Sequence, residues 1–220
     1  MVKSMLVKFK TINIKESKVE IKEKGNVGTD KEISTKNART KYILIDNVKN
    51  LEELKSNIYD IGHFVYDVET DSLNILEANL IGISICYGLE SSYYIPFQHT
   101  DELNQIITKQ IKIEEFFKIF KPIMEDPSVI KIGHNIKYDN AILKKYGIDV
   151  IGYDDTMLMS YVLNAGKHKH GLDELAKIYL SYSTIKFEDV VGKGKEKKTF
   201  EMVNIDDAMH YAAEDADIAY

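Results

Sequence analysis

Apolar positions along this chain fall into two rhythms, and together they lay out an alternation of strands and helices. Short apolar runs at residues 42–45, 64–69, 80–86, 92–95 and 129–133 have the length and side-chain character of strands. Gly88 and its polar neighbours turn the run at 80–86 back into the run at 92–95. Helical spacing takes over elsewhere. Residues 113–125 carry Ile113, Phe116, Phe117, Phe120 and Ile123 on one face, and Asp126-Pro127 closes that helix. Further helices are predicted at 51–61, with Asn50 as N-cap and Gly62 as the stop, and at 137–146, ending before Gly147. Residues 156–163, capped by Asp155, 172–180 and 205–220 complete the set. Three neighbouring strands followed by alternating helices and strands predict an α/β domain, a mixed sheet of about five strands flanked by α-helices.

Residues 1–40 have a different texture. They are rich in lysine and glutamate, poor in aromatics and free of proline. Two alternating stretches, 5–14 and 18–23, could form short strands, whereas 25–39 reads as a linker. The expected organisation is an N-terminal extension, 1–40, and one folded domain, 41–220. The last helix meets no stop signal before Tyr220, so the chain is expected to be a fragment of a longer protein.

Composition narrows the class. A chain of 220 residues with 44% hydrophobic content can bury one substantial core. Its formal net charge of −6 argues against a general polyanion-binding field and so against a sequence-reading duplex binder. The single cysteine, Cys86, lies in an apolar run and reads as a small buried residue; an intrachain disulfide is impossible. Lysines interrupt the apolar N-terminus, which lacks a signal-peptide core, and no stretch has the length to cross a bilayer. A soluble, cytoplasmic protein is expected.

Three acidic sites carry the candidate chemistry. Asp67 and Glu69 end the apolar run His63-Phe64-Val65-Tyr66, and alternation along a strand points both to one face. Two like charges held that close call for a cation between them. Tyr211 and Asp215, four apart on a predicted helix, share a helical face. Asp139 follows another strand-like run. Taken singly, Asp139 reads as an acid at a helix start and Asp215 as an exposed helical carboxylate. A calcium loop of EF-hand type beginning at Asp67 is excluded, because it wants glycine and glutamate where Ser72 and Ala78 stand. Jointly the acids suggest a divalent-metal site.

Three strings add a resemblance: Asp67-Val-Glu69-Thr70-Asp71-Ser72-Leu73, Gly133-His134-Asn135-Ile-Lys137-Tyr138-Asp139 and Tyr211-Ala-Ala-Glu-Asp215-Ala-Asp217. In this order, and with Ala78-Asn79-Leu80, Asp155-Thr156-Met157, Phe187-Glu188 and Gly192-Lys193-Gly194 between them, the chain from Tyr42 onward resembles the 3′–5′ proofreading exonuclease domain of bacterial DNA polymerase I. That domain belongs to the DEDD exonuclease superfamily, tyrosine subclass. The resemblance implies a ribonuclease-H-like fold and a two-metal hydrolysis of the terminal phosphodiester of single-stranded or frayed DNA, releasing nucleoside monophosphates. Ions about 3.5–4 Å apart can serve the attacking and leaving oxygens together. It implies Mg²⁺ or Mn²⁺, with Zn²⁺ possible at one site.

By the same resemblance Asp67, Glu69 and Asp215 hold the first ion. Asp67 bridges to a second, which Asp139 reaches partly through water, and Tyr211 orients the attacking water. His210 lies about 100° further round the helix than Tyr211, away from the Asp215 face, and reads as a solvent-side or packing residue. Thr70, Leu73 and Phe187 would hold the terminal nucleotide, and His134, Asn135, Tyr138 and Lys169 would contact phosphate or sugar. His134 stands where the family commonly has glutamine, and Lys169 where it has arginine, which loses a bidentate fork. The basic run 193–198 could line the entering strand or be a solvated loop. The implied partners are a DNA 3′ end and a polymerase domain C-terminal to this one, with the isolated domain monomeric and the protein nucleoid-associated. Two other readings remain: an RNA-trimming exonuclease of ribonuclease D type, and a catalytically silent nucleic-acid-binding domain.

Overall fold

The computed structural model describes residues 40–101, 103–194 and 197–220. The stretches 5–14 and 18–23, expected as short strands, lie outside them. Chain order within the described residues is β1 (Lys41–Leu44), α1 (Val48–Ile61), β2 (His63–Thr70), β3 (Leu80–Cys86), β4 (Ser91–Pro96), α2 (Ile113–Met124), β5 (Ile130–Gly133), α3 (Lys137–Lys145), β6 (Tyr153–Asp155), α4 (Thr156–Asn164), α5 (Leu172–Leu175), α6 (Phe187–Val191) and α7 (Ile205–Ala219). A π-helical turn, Ala176–Leu180, continues α5, and a 3₁₀ turn, Phe200–Met202, precedes α7.

The strands form one mixed sheet of order β1-β4-β3-β2-β5-β6. β2–β3 and β3–β4 are antiparallel; β1–β4, β2–β5 and β5–β6 are parallel. Alternation along β2 sorts its side chains. Phe64, Tyr66 and Val68 pack with Leu51, Leu54 and Ile58 of α1 and with Phe116, Phe120 and Ile123 of α2 in the main core. Val65 points the other way, beside Cys86 and Ala216 of α7. Asp67 and Glu69 share the parity of Val65 and so face α7. That helix lies close because Ala208, Ala212, Ala213 and Ala216 are all buried and small. Cys86 is buried and free, as expected.

Most predicted elements are present. Gly62 stops α1 in the left-handed region at φ 81°, where only glycine sits without strain, and its N–H donates to Ile58 O. The cap of α1 needs correction. Asn47, not Asn50, is the N-cap, and its side chain accepts from Asn50 N at 3.0 Å. The apolar stripe starts at Leu51 and hides the first turn. The sheet also has six strands instead of about five. β6, Tyr-Asp-Asp, has no apolar alternation and is held by parallel pairing to β5 at the sheet edge. Finally, the helix expected over 172–180 loosens into its π-helical turn, and Ser181 ends it at φ 52°.

Candidate active site

The open end of β2 meets the middle of α7. Glu69 pairs with Gly82 on β3, and the register slips between Glu69 and Thr70, so β2 leaves the sheet just after the second acid. Tyr211 and Asp215 come down from α7, one helical turn apart. Carboxylate oxygens of Asp67, Glu69 and Asp215 lie within 4.8 Å of one another. Asp139, in the first turn of α3 and 4% exposed, adjoins them; its Oδ1 accepts from Val68 N at 3.0 Å.

This many acids held close together disturb each other's ionisation. Burial first, then Asp139, Glu69 and Asp215, push the Asp67 carboxyl well above its ordinary range. Burial, Asp215 and Asp139 do the same to Glu69. Asp139 rises to about 7 through burial, against the pull of the Val68 N–H. Asp215 also rises to about 7, through burial and the neighbouring Glu214 and Asp173. Burial and the charges of Glu69, Asp215 and Asp67 raise the Tyr211 phenol, which hydrogen-bonds to Asp215. Among the described residues none of the four carboxylates is part of an ion pair. An all-oxygen, uncompensated donor set, with Glu69 and Asp139 buried and Asp67 and Asp215 half-buried, fits a hard divalent cation.

A cleft of about 510 Å³ opens above the acids. Asp67, Glu69, Tyr211 and Asp215 line it together with Thr70, Leu73, Tyr138, Phe187, Phe200, Lys197 and Lys198. Leu73 is 91% exposed on the loop after β2, and Phe187 is 40% exposed at the start of α6. Asp71 accepts from both Asn79 N and Asn79 Nδ2 at 2.7 Å and ties the base of the Leu73 loop. The Tyr138 hydroxyl donates to Ser72 O at 2.7 Å and lies 2.7 Å from Thr70 Oγ1, fixing the same loop from α3.

A family model described as a 3′–5′ exonuclease, of the DNA polymerase A type, matches residues 42–220. The chain belongs to this 3′–5′ exonuclease family. DNA polymerase I of Rhizobium leguminosarum is 36% identical over 191 residues, which are 80% of this chain and 19% of that protein. DNA polymerase I of Pseudomonas aeruginosa is 36% identical over 157 residues, 70% of this chain and 17% of that protein. The chain thus spans about a fifth of the length of these curated relatives. Among solved structures, Trypanosoma brucei RNase D superposes with a TM-score of 0.63 at 13% identity, covering 81% of this chain and 62% of that one. Brucella melitensis NrnC gives 0.57 at 19% identity, covering 82% and 76%. Likeness at those identities is one of fold, ribonuclease-H-like as the sequence resemblance implied.

Within this exonuclease domain the expected site residues divide. Asp67, Glu69, Tyr211, Asp215, Thr70, Leu73, Tyr138 and Phe187 converge on the cleft, with Asp139 buried beside the acids. His134, Asn135 and Lys169 do not line it. His134 turns toward α4: its Nδ1 is 2.9 Å from Thr156 Oγ1, whose hydroxyl donates to Gly133 O, and its Nε2 is buried. Asn135 sits exposed at φ 61°, and its N–H donates to Asp155 Oδ1. Lys169 is exposed on the loop between α4 and α5. Asp155 caps α4 through Met157 N and Leu158 N and also holds Ile136 N, so it is spent on structure. His210 is exposed with its ring edge-on to Tyr42, the packing role expected.

Part of the basic run lies at the cleft. Lys197 and Lys198 line the cleft, with Lys197 Nζ 5.9 Å from the Phe187 ring centre, whereas Lys193 pairs with Glu188 and Asp189 outside it. Sequence reasoning missed Phe200. It is 1% exposed, stacks on Phe187 at 6.2 Å and meets Tyr211 at 6.0 Å. The only signal for it was an aromatic two residues after the lysines.

Proposed function

We propose that this domain is a metal-dependent 3′–5′ exonuclease that removes the terminal nucleotide from single-stranded or frayed DNA and edits for a DNA polymerase. The observation that carries this reading is the meeting of Asp67, Glu69 and Asp215 within 4.8 Å at the floor of an open cleft. Asp67, Glu69 and Asp215 would hold one divalent ion, and Asp139 with Asp67 a second. The chemistry supplied by bound ions is neutralisation of phosphoryl charge and acidification of water. Tyr211, anchored on Asp215, presents a phenol that orients the attacking water, and its raised pKa keeps it a hydrogen-bond donor instead of a base. Phe187 and Leu73 offer an aromatic face and an aliphatic edge for a base of any identity, which suits removal of every nucleotide. Editing selectivity then follows from fraying, since a mismatched terminus unpairs more readily.

Asp67→Ala should abolish Mg²⁺- or Mn²⁺-dependent release of mononucleotides from a 3′-labelled oligonucleotide, while its circular dichroism stays native. Undiminished release would defeat the assignment. A parallel arm with a 3′-terminal ribose separates DNA editing from RNA trimming, because a 2′-hydroxyl must then be accommodated.

A further inference from the structure

His99 is buried, carries no charge partner and has no part in the chemistry above, yet it is bonded through both ring nitrogens. Nδ1 lies 3.1 Å from Val203 O, and Nε2 lies 2.7 Å from the Tyr94 hydroxyl. A carbonyl only accepts, so Nδ1 carries the proton and Nε2 receives the Tyr94 proton, which fixes a single neutral tautomer. Burial lowers the His99 pKa to about 4, so the ring stays neutral wherever the carboxylates are ionised. Its backbone is clamped too. His99 N donates to Gln110 Oε1 at 2.7 Å, Gln110 Nε2 donates to His99 O at 2.9 Å, and the next residue, Thr100, donates its N–H to Glu201 O at 2.8 Å.

What this bracket grips is the approach to α7. Val203 immediately precedes Asn204, the N-cap of the helix that carries Tyr211 and Asp215. The His99 ring also packs 5.7 Å from Phe200, which in turn meets Tyr211. On its other side the bracket is seated on the sheet. The Tyr94 ring occupies the space above Gly82, where a Cβ would fall 2.1 Å from the Tyr94 oxygen, and Gly82 is the register partner of Glu69. Hydrogen bonds from Tyr94 through His99 to Val203, seated on Gly82 by the packing of the Tyr94 ring, thus join the strand position opposite Glu69 to the start of α7.

The geometry points to His99 as a positioning residue that sets where Tyr211 stands relative to the metal carboxylates, acting through Val203 and Phe200. This rests on the nuclease reading for its kinetic consequence but not for its structural one. The test compares wild type with His99→Leu, His99→Gln and Tyr94→Phe, each below its own melting temperature, measuring single-turnover hydrolysis, oligonucleotide affinity in Ca²⁺ and Mn²⁺ binding. His99→Leu should slow the hydrolytic step about tenfold with both affinities within about twofold. His99→Gln, whose amide can donate to Val203 O and accept from Tyr94, should recover most of the rate. In a Tyr211→Phe background, His99→Leu should add nothing. Additive losses, an unchanged rate, or a fall in Mn²⁺ affinity matching the fall in rate would each overturn the proposal. Should His99→Leu fail to fold, Tyr94→Phe, which keeps the ring over Gly82, carries the test with an expected loss of about threefold. Amide exchange in α7, read without substrate, should accelerate in the variants while α1 stays unchanged. An inactive wild type therefore defeats the nuclease reading alone, and unchanged exchange defeats the bracket alone.

Discussion

Asp139 and Asp215, each raised to about 7 by burial, make the site a proton sink when no cation is present. Unfolded carboxylates titrate near pH 4, so between roughly pH 4 and 7 the folded chain binds more protons than the unfolded one. Metal-free stability is therefore lost as pH rises through that window. A divalent ion requires the ionised form and opposes the loss, so the gain in Tm on adding Mg²⁺ should grow from about pH 5.5 to 8. Thermal melts with Mg²⁺ and with chelator across that range check this; a gain that is flat or shrinks with pH counts against the ligand assignment. Tyr211→Phe should slow hydrolysis by about 10²-fold with little change in metal affinity, measured by titration calorimetry and single-turnover assay. Loss of metal binding would show that the phenol holds Asp215 in place instead of orienting water. At this scale the acids were legible because strand alternation and helical spacing dictate which way each points. His134 was not, since a turn pinned by Asp155 decides its direction.

Elements bring these residues together by parity and by size. β2 sends its odd-numbered acids toward α7, and the alanines of α7 let the helix approach the sheet. Gly82 does the same job within the sheet. Gly82→Ala would drive a methyl into the Tyr94 ring, which His99 holds in place and which is itself fully buried. Overpacking of this kind typically costs about 1–3 kcal/mol, so urea denaturation should show a loss of that size. Because Gly82 faces Glu69, Mg²⁺ affinity should fall as well; a destabilised variant with unchanged affinity would separate β3 packing from the site. The long periodic helices and apolar strands were readable from pattern. β6, the π-helical turn and the Asn47 cap were not, because each is held by a neighbour's backbone or by a first turn with no apolar stripe.

For the whole molecule, charge and shape give a further expectation. With a formal net charge of −6, and with Lys197 and Lys198 the basic side chains that line the cleft among the described residues, few phosphates are neutralised on binding. Oligonucleotide affinity in Ca²⁺ should fall with salt at a log–log slope of only about −1.4, as two phosphate contacts on a single strand imply. A steep slope, measured by fluorescence anisotropy, would reveal a larger basic track than the cleft shows. The amino-acid sequence by itself determined the strand and helix inventory, the facing of Asp67 with Glu69 and of Tyr211 with Asp215, and the family, because periodicity and motif spacing are local properties of the chain. Only the tertiary structure decided that the acids share one floor, that Phe200 and two lysines join the cleft, that His134 and Lys169 stand off it, and that His99 ties β4 to α7. Those relations join residues far apart in the chain, and packing of α7 against the sheet, not any local preference, sets the distances between them.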